Sequence, residues 1–264
     1  MSDSLLAARD VRMVFGGVVA LENASVEVRP GRVTGLIGRN GSGKSTLFNC
    51  LTGFLKPTSG TIELDGRDIT GRAPHDIVRA GIARTFQTPR VDFQTTGREA
   101  VVCGLYPQVR HGFLSSLLGW PHAGRAERAI QQRADEVVER MQMTTWAPSR
   151  VNMLSMGRVR TIEVARAIAA DARYVLLDEP AAGIGRKELR VLAEEIRSLA
   201  DRGIGVLLVE HNFPLVRMLC DEITVLETGS VIFRGTPEQA RCDARVMQLY
   251  LGAAVAAETA EGVA

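Results

Sequence analysis

Lysine is almost missing from this chain: Lys44, Lys56 and Lys187 are its only examples, and arginine supplies nearly all of the positive charge. The imbalance reads as genome-level composition, and it makes a lysine inside a motif conspicuous. An excess of one charge sign is missing too. A formal net charge of +2 gives no field that would make nucleic acid or an acidic membrane surface the main partner. Cysteine is scarce and scattered. Cys50, Cys103, Cys220 and Cys242 form no CxxC pair, which argues against a disulfide framework or a thiolate metal site and for free thiols in a reducing cytosol. No apolar stretch approaches the roughly 20 residues needed to span a bilayer. The start, Met1 to Ala7, has no basic region and too short an apolar run for a signal peptide. A membrane role would therefore be exercised from the cytoplasmic side, through partners. With 45% hydrophobic and 23% charged residues the composition is that of an ordinary globular protein, and 264 residues suffice for one large α/β domain or a core with a subordinate lobe.

Three short runs are apolar on consecutive residues: Val33-Thr34-Gly35-Leu36-Ile37, Tyr174-Val175-Leu176-Leu177 and Val206-Leu207-Leu208-Val209. Such runs suit strands of a parallel sheet buried on both faces, although periodicity alone leaves buried helix open. The first ends in a glycine-rich turn, the second in Asp178-Glu179 and the third in Glu210-His211. In open α/β sheets ligands bind outside the carboxyl ends of the strands, so these residues fall where chemistry is expected. Between the strands, Ile130, Ala134, Val137 and Met141 recur at helical spacing and predict a helix over 125–143. Val159, Ile162, Ala165 and Ile168 predict a second over 157–170. We expect one domain over 1–252, with an α/β core of about 1–88 and 165–252 and a helical lobe of about 89–164. The Ala-rich residues 253–264 read as a frayed tail.

Gly38-Arg39-Asn40-Gly41-Ser42-Gly43-Lys44-Ser45-Thr46 fits GxxxxGK[ST] directly after a predicted strand. The glycines let backbone N–H groups turn inward to cradle phosphate oxygens, and the following helix presents its positive end. Lys44 can reach the β- and γ-phosphates and the Ser45 hydroxyl can ligate Mg²⁺. Such a loop needs a carboxylate at the end of a neighbouring strand. Asp178 fits as the Mg²⁺-linked acid, and Glu179 beside it can accept a proton from an attacking water. Read without the phosphate loop, Asp178-Glu179-Pro180 is merely a polar turn. Gln87 could touch both Mg²⁺ and water, and His211 could hydrogen-bond a γ-phosphate. Taken singly, a loop glutamine is usually solvated and a histidine at a strand end is usually structural.

In their order along the chain these motifs resemble the ATP-binding subunits of ABC transporters, from about Leu6 to Gly252. Leu154-Ser155-Met156-Gly157-Arg158 is similar to that family's LSGGQ segment. The resemblance implies a P-loop α/β core with an N-terminal antiparallel β portion and an inserted helical lobe, binding ATP with Mg²⁺. It implies that Ser155 and Gly157 close over nucleotide held by a second ATP-binding subunit, identical or related. Phe15 sits where the family places an adenine-stacking aromatic; a core phenylalanine on a first strand is the other reading. It further implies transmembrane permease partners at the cytoplasmic face of the membrane, and a solute-binding protein acting indirectly.

The segments Phe48 to Phe54, Arg84 to Gln87, Ile162 to Ala167, Glu179 to Gly183, Tyr250-Leu251-Gly252 and the insertion His111 to Leu118 look like the importers of branched-chain amino acids. Phe113, Leu114, Leu117, Leu118 and Trp120 could form a membrane-touching patch, or a packed or permease-facing turn. Two positions depart from the family pattern: Arg158 replaces the signature glutamine, and Gly185 stands where Asp or Asn is usual. They keep two other readings open, a weakly hydrolysing regulatory module and a soluble ABC ATPase without a transport role.

Overall fold

The computed structural model describes residues 5–105 and 121–249, with the helical backbone alone for 121–126. The insertion His111 to Leu118 with Trp120, the closing Tyr250-Leu251-Gly252 and the 253–264 tail lie outside those residues. In chain order the strands are β1 (Leu6–Phe15), β2 (Val18–Val28), β3 (Val33–Ile37), β4 (Ser59–Leu64), β5 (Arg67–Asp68), β6 (Ile82–Arg84), β7 (Tyr174–Asp178), β8 (Gly205–Glu210), β9 (Glu222–Glu227) and β10 (Ser230–Gly235). The helices are α1 (Lys44–Leu51), α2 (Pro74–Arg79), α3 (Gly97–Leu105), α4 (Pro121–Arg140), α5 (Met156–Ala169), α6 (Arg186–Asp201), α7 (Phe213–Leu219) and α8 (Pro237–Ala240).

The three apolar runs are the middle of one sheet, ordered β10-β9-β3-β8-β7-β6. β3, β8, β7 and β6 pair in parallel, so the loops after all four open at the same edge. Consecutive apolar residues are explained by burial on both faces. Val33, Val175, Leu177, Val206 and Leu208 enter one core cluster, which also holds the inward residues of α3 to α7. Leu36, Tyr174, Leu176, Leu207 and Val209 enter the other, with Leu47, Phe48 and Leu51 of α1. That second cluster is closed by an antiparallel sheet ordered β2-β1-β4-β5, the β portion that the family resemblance implied.

Ile130, Ala134 and Val137 lie buried along α4, which ends at Arg140; Met141, also buried, follows it in a turn. Helix α5 starts at Met156, one residue before the expected Gly157, because the Ser155 hydroxyl oxygen caps it by accepting the Arg158 N–H at 3.5 Å. Val159, Ile162, Ala165 and Ile168 all point into the core. α5 runs unbroken to Ala169, past the position at which the lobe was expected to end.

Candidate functional site

The turn after β3 is built so that its backbone faces a cleft. Gly43, the N-cap of α1, has φ +102, and a Cβ there would meet Leu21 Cδ2 at 2.7 Å and the Ala20 carbonyl at 2.8 Å. A side chain at this position would break both the turn and its seat against β2. Lys44 follows as the first residue of α1, 5% exposed, and its Nζ donates to the carbonyls of Gly38 at 2.8 Å and Arg39 at 2.9 Å. Burial holds this ammonium below its usual pKa, while the charges of Glu179 and Asp178 pull it back up. The Ser42 hydroxyl is buried without a hydrogen-bond partner among the described residues, an unsatisfied polar group that a phosphate oxygen would satisfy.

The cleft beside this turn, of about 370 Å³, is lined by Asn40, Gly41, Gly43, Lys44, Ser45 and Thr46, by Gln87 from the loop after β6 and by Glu179 from the loop after β7. Gly38 and Ser42 are buried behind it and Arg39 is exposed. Asp178 ends β7, 5% exposed, and donates its backbone N–H to Thr85 Oγ1 at 2.9 Å. Its carboxyl is raised above the ordinary range, first by burial and then by Glu179, with Arg84 and Lys44 acting the other way. Glu179 takes the left-handed conformation at φ +46, an uncommon state for a side-chain-bearing residue. Its N–H donates to the Val209 carbonyl at 2.9 Å, and its Oε1 lies 3.4 Å from His211 Nδ1.

The donor set suits a nucleotide triphosphate with a hard cation. Backbone amides, the Lys44 ammonium and serine hydroxyls are donors suited to anionic oxygens, and Ser45, Gln87 and Asp178 offer oxygen ligands of the kind Mg²⁺ takes beside phosphate. Phe15 is 45% exposed at the β1–β2 hairpin, where it pairs with Val18, so the core reading does not hold. Val18 and Val19, not Phe15, line the cleft. Ser155 and Gly157 do not line it either. They lie at the start of α5, beside Met153 and Met156, which are 79% and 56% exposed. Gly157 lies so close to the loop after Glu179 that a Cβ would meet the Gly183 carbonyl at 2.5 Å. Arg158 lays its guanidinium over the Trp146 ring at 5.3 Å, and Gly185 caps α6 without a side-chain bond.

A family model described as ABC transporter matches residues 21–182, more than half of the chain. This chain belongs to the ABC transporter family. The high-affinity branched-chain amino acid transport ATP-binding protein BraF of Pseudomonas aeruginosa is 38% identical over 96% of this chain and 100% of its own length. The corresponding protein LivG of Salmonella typhimurium is 39% identical with the same coverage. A nucleotide-free ATP-binding cassette from an ABC transporter superposes with a TM-score of 0.79 at 29% identity, covering 94% of this chain and 98% of that one. The ADP conformation of an ATP-binding cassette of an ABC transporter gives 0.77 at 29%, over 94% and 99%. The ABC protein described here is thus an ATP-binding and hydrolysing subunit that powers transport. Its family implies ATP with Mg²⁺ and permease partners. Among the described residues no helix is long and apolar enough to cross a membrane.

Several side chains that organise the site have no role assigned by the motifs. Arg84 lies between the Phe48, Phe54 and Phe86 rings at 4.6, 4.6 and 4.4 Å and donates to Asn49 Oδ1 at 3.0 Å and Thr52 Oγ1 at 2.6 Å, bracing α1 against β6. Glu210, 1% exposed, accepts from Ala181 N at 3.2 Å and His211 N at 3.3 Å, joining the loops after β7 and β8. Burial raises its carboxyl above the usual range. One signal was available for Glu210: a carboxylate adjoining the run Val206 to Val209 cannot be buried without backbone partners.

Proposed function

We propose that the cleft between the β3–α1 turn and the loops after β6 and β7 binds Mg·ATP, and that its hydrolysis powers import of branched-chain amino acids or related small molecules. The observation that carries this reading is that Lys44, Ser45, Gln87 and Glu179, distant in sequence, line one cleft beside the buried Asp178. Bound there, Mg·ATP supplies the γ-phosphoryl group that water attacks. Gly38 to Thr46 hold the phosphates through backbone amides, and Lys44 exchanges its loop carbonyls for phosphate oxygens. Ser45, Gln87 and Asp178 support the metal, Glu179 takes the water's proton, and His211 steadies Glu179 and the γ-phosphate. Phe15, beside Val18, flanks the adenine.

Ser155 and Gly157 complete the site of a second ATP-binding subunit. That they lie outside the chain's own cleft, at an exposed helix start with two exposed methionines, supports a role in trans. The single domain of 1–252, its lobe of about 89–164 and attachment through permeases at the cytoplasmic face of the membrane belong to the same reading. The branched-chain solute rests on relatives that match over their whole length. The test is uptake of leucine, isoleucine and valine by membranes carrying this chain with its permeases. Lys44→Ala should abolish it; uptake that survives the substitution contradicts the proposal.

A further inference from the structure

Helix α5 holds both catalytic loops of its own chain by side chains to which the motifs assign no role. Glu163 lies on its third turn, 5% exposed between Ile162 and Val164. One carboxylate oxygen accepts the Phe86 N–H at 3.3 Å and the other accepts the Arg90 N–H at 2.9 Å. The two amides bracket Gln87-Thr88-Pro89, so one buried carboxylate closes the base of the loop whose Gln87 lines the cleft. From the next turn, Arg166 Nη1 donates to the Arg90 carbonyl at 2.7 Å. From the preceding turn, Arg160 Nη1 donates to the Glu179 carbonyl at 3.3 Å. Ser155, which caps this same helix, is exposed to the outside.

We propose that Glu163 is the positioning residue that fixes Gln87 in the cleft, by clasping the backbone on both sides of it to the helix that carries Ser155 and Gly157. The physical reason is that a loop of free backbone samples many conformations, and two charge-assisted hydrogen bonds from one rigid, buried acceptor remove most of them. Burial alone pushes the Glu163 carboxyl up, and the two amide bonds and the nearby Arg166 and Arg160 charges oppose that push. The net effect is a carboxyl held above its usual range, with both oxygens placed to accept from the amides. Arg160 ties the same helix to Glu179, so α5 is a common mount for Gln87, Glu179 and the surface offered to a second subunit.

The proposal rests on the catalytic role of Gln87 given above, and its test separates the two. Amide hydrogen exchange of the nucleotide-free protein reads the clasp without any turnover. In Glu163→Ala the Phe86 and Arg90 amides should exchange about tenfold faster or more, the scale of losing a hydrogen bond to a charged group, while the β7 and β8 amides keep their protection. Steady-state turnover of Mg·ATP should show kcat reduced about tenfold with KM within about threefold, since the phosphate loop is untouched. In a Gln87→Ala background the same substitution should lower kcat no further, as required of a residue that acts through Gln87. Unchanged exchange at both amides, or a full additional loss in the double variant, overturns the proposal. Should Glu163→Ala fail to fold, Glu163→Gln, of equal volume and with one carbonyl oxygen left, must show faster exchange at one amide at least. A parent chain that exchanges as expected but hydrolyses no ATP would refute the functional reading and leave the clasp standing.

Discussion

Arg84 is the sharpest place to weigh a buried charge against the contacts it makes. Its guanidinium makes three hydrogen bonds, to Asn49 Oδ1, Thr52 Oγ1 and the Thr85 carbonyl, and faces three phenylalanine rings. At about 1.5 kcal/mol for each charge-assisted bond and about 0.5 kcal/mol for each ring, the contacts sum to about 6 kcal/mol. Against them, burial pushes the guanidinium's pKa down to about 10, a penalty of roughly 3 kcal/mol on the charged form. Water still reaches part of the group, and screening brings that down to about 2 kcal/mol. Contacts exceed penalty, so Arg84→Met should destabilise the nucleotide-free protein by about 3 kcal/mol after allowance for the apolar area methionine restores. Arg84→Lys should rescue little, because a point ammonium cannot span three acceptors in one plane. The assay is urea unfolding without nucleotide, which would otherwise add its own binding energy. A methionine variant as stable as the parent, or more so, would mean that the burial penalty outweighs the contacts and that α1 and β6 do not depend on this brace.

Two further substitutions probe the site's charges. Asp178→Asn should abolish Mg²⁺-dependent turnover yet raise the melting temperature at neutral pH, because the native carboxyl is held above its ordinary pKa and its charged form is disfavoured in the fold. For a raised pKa the contribution to stability is present at low pH and lost as pH rises through the folded value. The gap between parent and variant should therefore close as pH falls toward 3.8, and a gap that widens on acidification would contradict the assignment. Arg158→Gln should change ATP turnover less than about tenfold, a difference of ~1.4 kcal/mol in the barrier, because the guanidinium is exposed and lies against Trp146. A hundredfold rise would instead make the natural chain a weakened ATPase.

The parallel strands were legible because burial on both faces leaves consecutive apolar residues, and the phosphate loop because its geometry demands glycine at fixed offsets. The strand β1 was harder. The residues it sends into the core cluster, Leu6, Ala8, Val11 and Met13, change parity between Ala8 and Val11, where the pairing register shifts and Asp10 takes φ +49. Ala7, between Leu6 and Ala8, is buried as well. The antiparallel portion thus came from family resemblance and not from alternation. Glu163, Arg160 and Arg84 were illegible for another reason. Each is a charged residue whose partners lie elsewhere in the chain, so its burial is decided by tertiary contacts that sequence spacing does not carry. Glu163, flanked by two aliphatic residues within a helix otherwise turned inward, was the one such residue whose position hinted at a buried role. For Phe15 the residue alone left exposure and core burial open, and the hairpin decided it.

The proposed function requires that this chain hydrolyse ATP in a site that two subunits close together. Its most direct test is the mass in solution of Glu179→Gln with and without Mg·ATP, measured beside turnover. Removing the base should slow hydrolysis by roughly 10²-fold or more while binding persists, so nucleotide should hold two copies together as a stable dimer. A variant that turns over like the parent would move the base to another residue. One that binds Mg·ATP and stays monomeric would contradict closure between identical subunits.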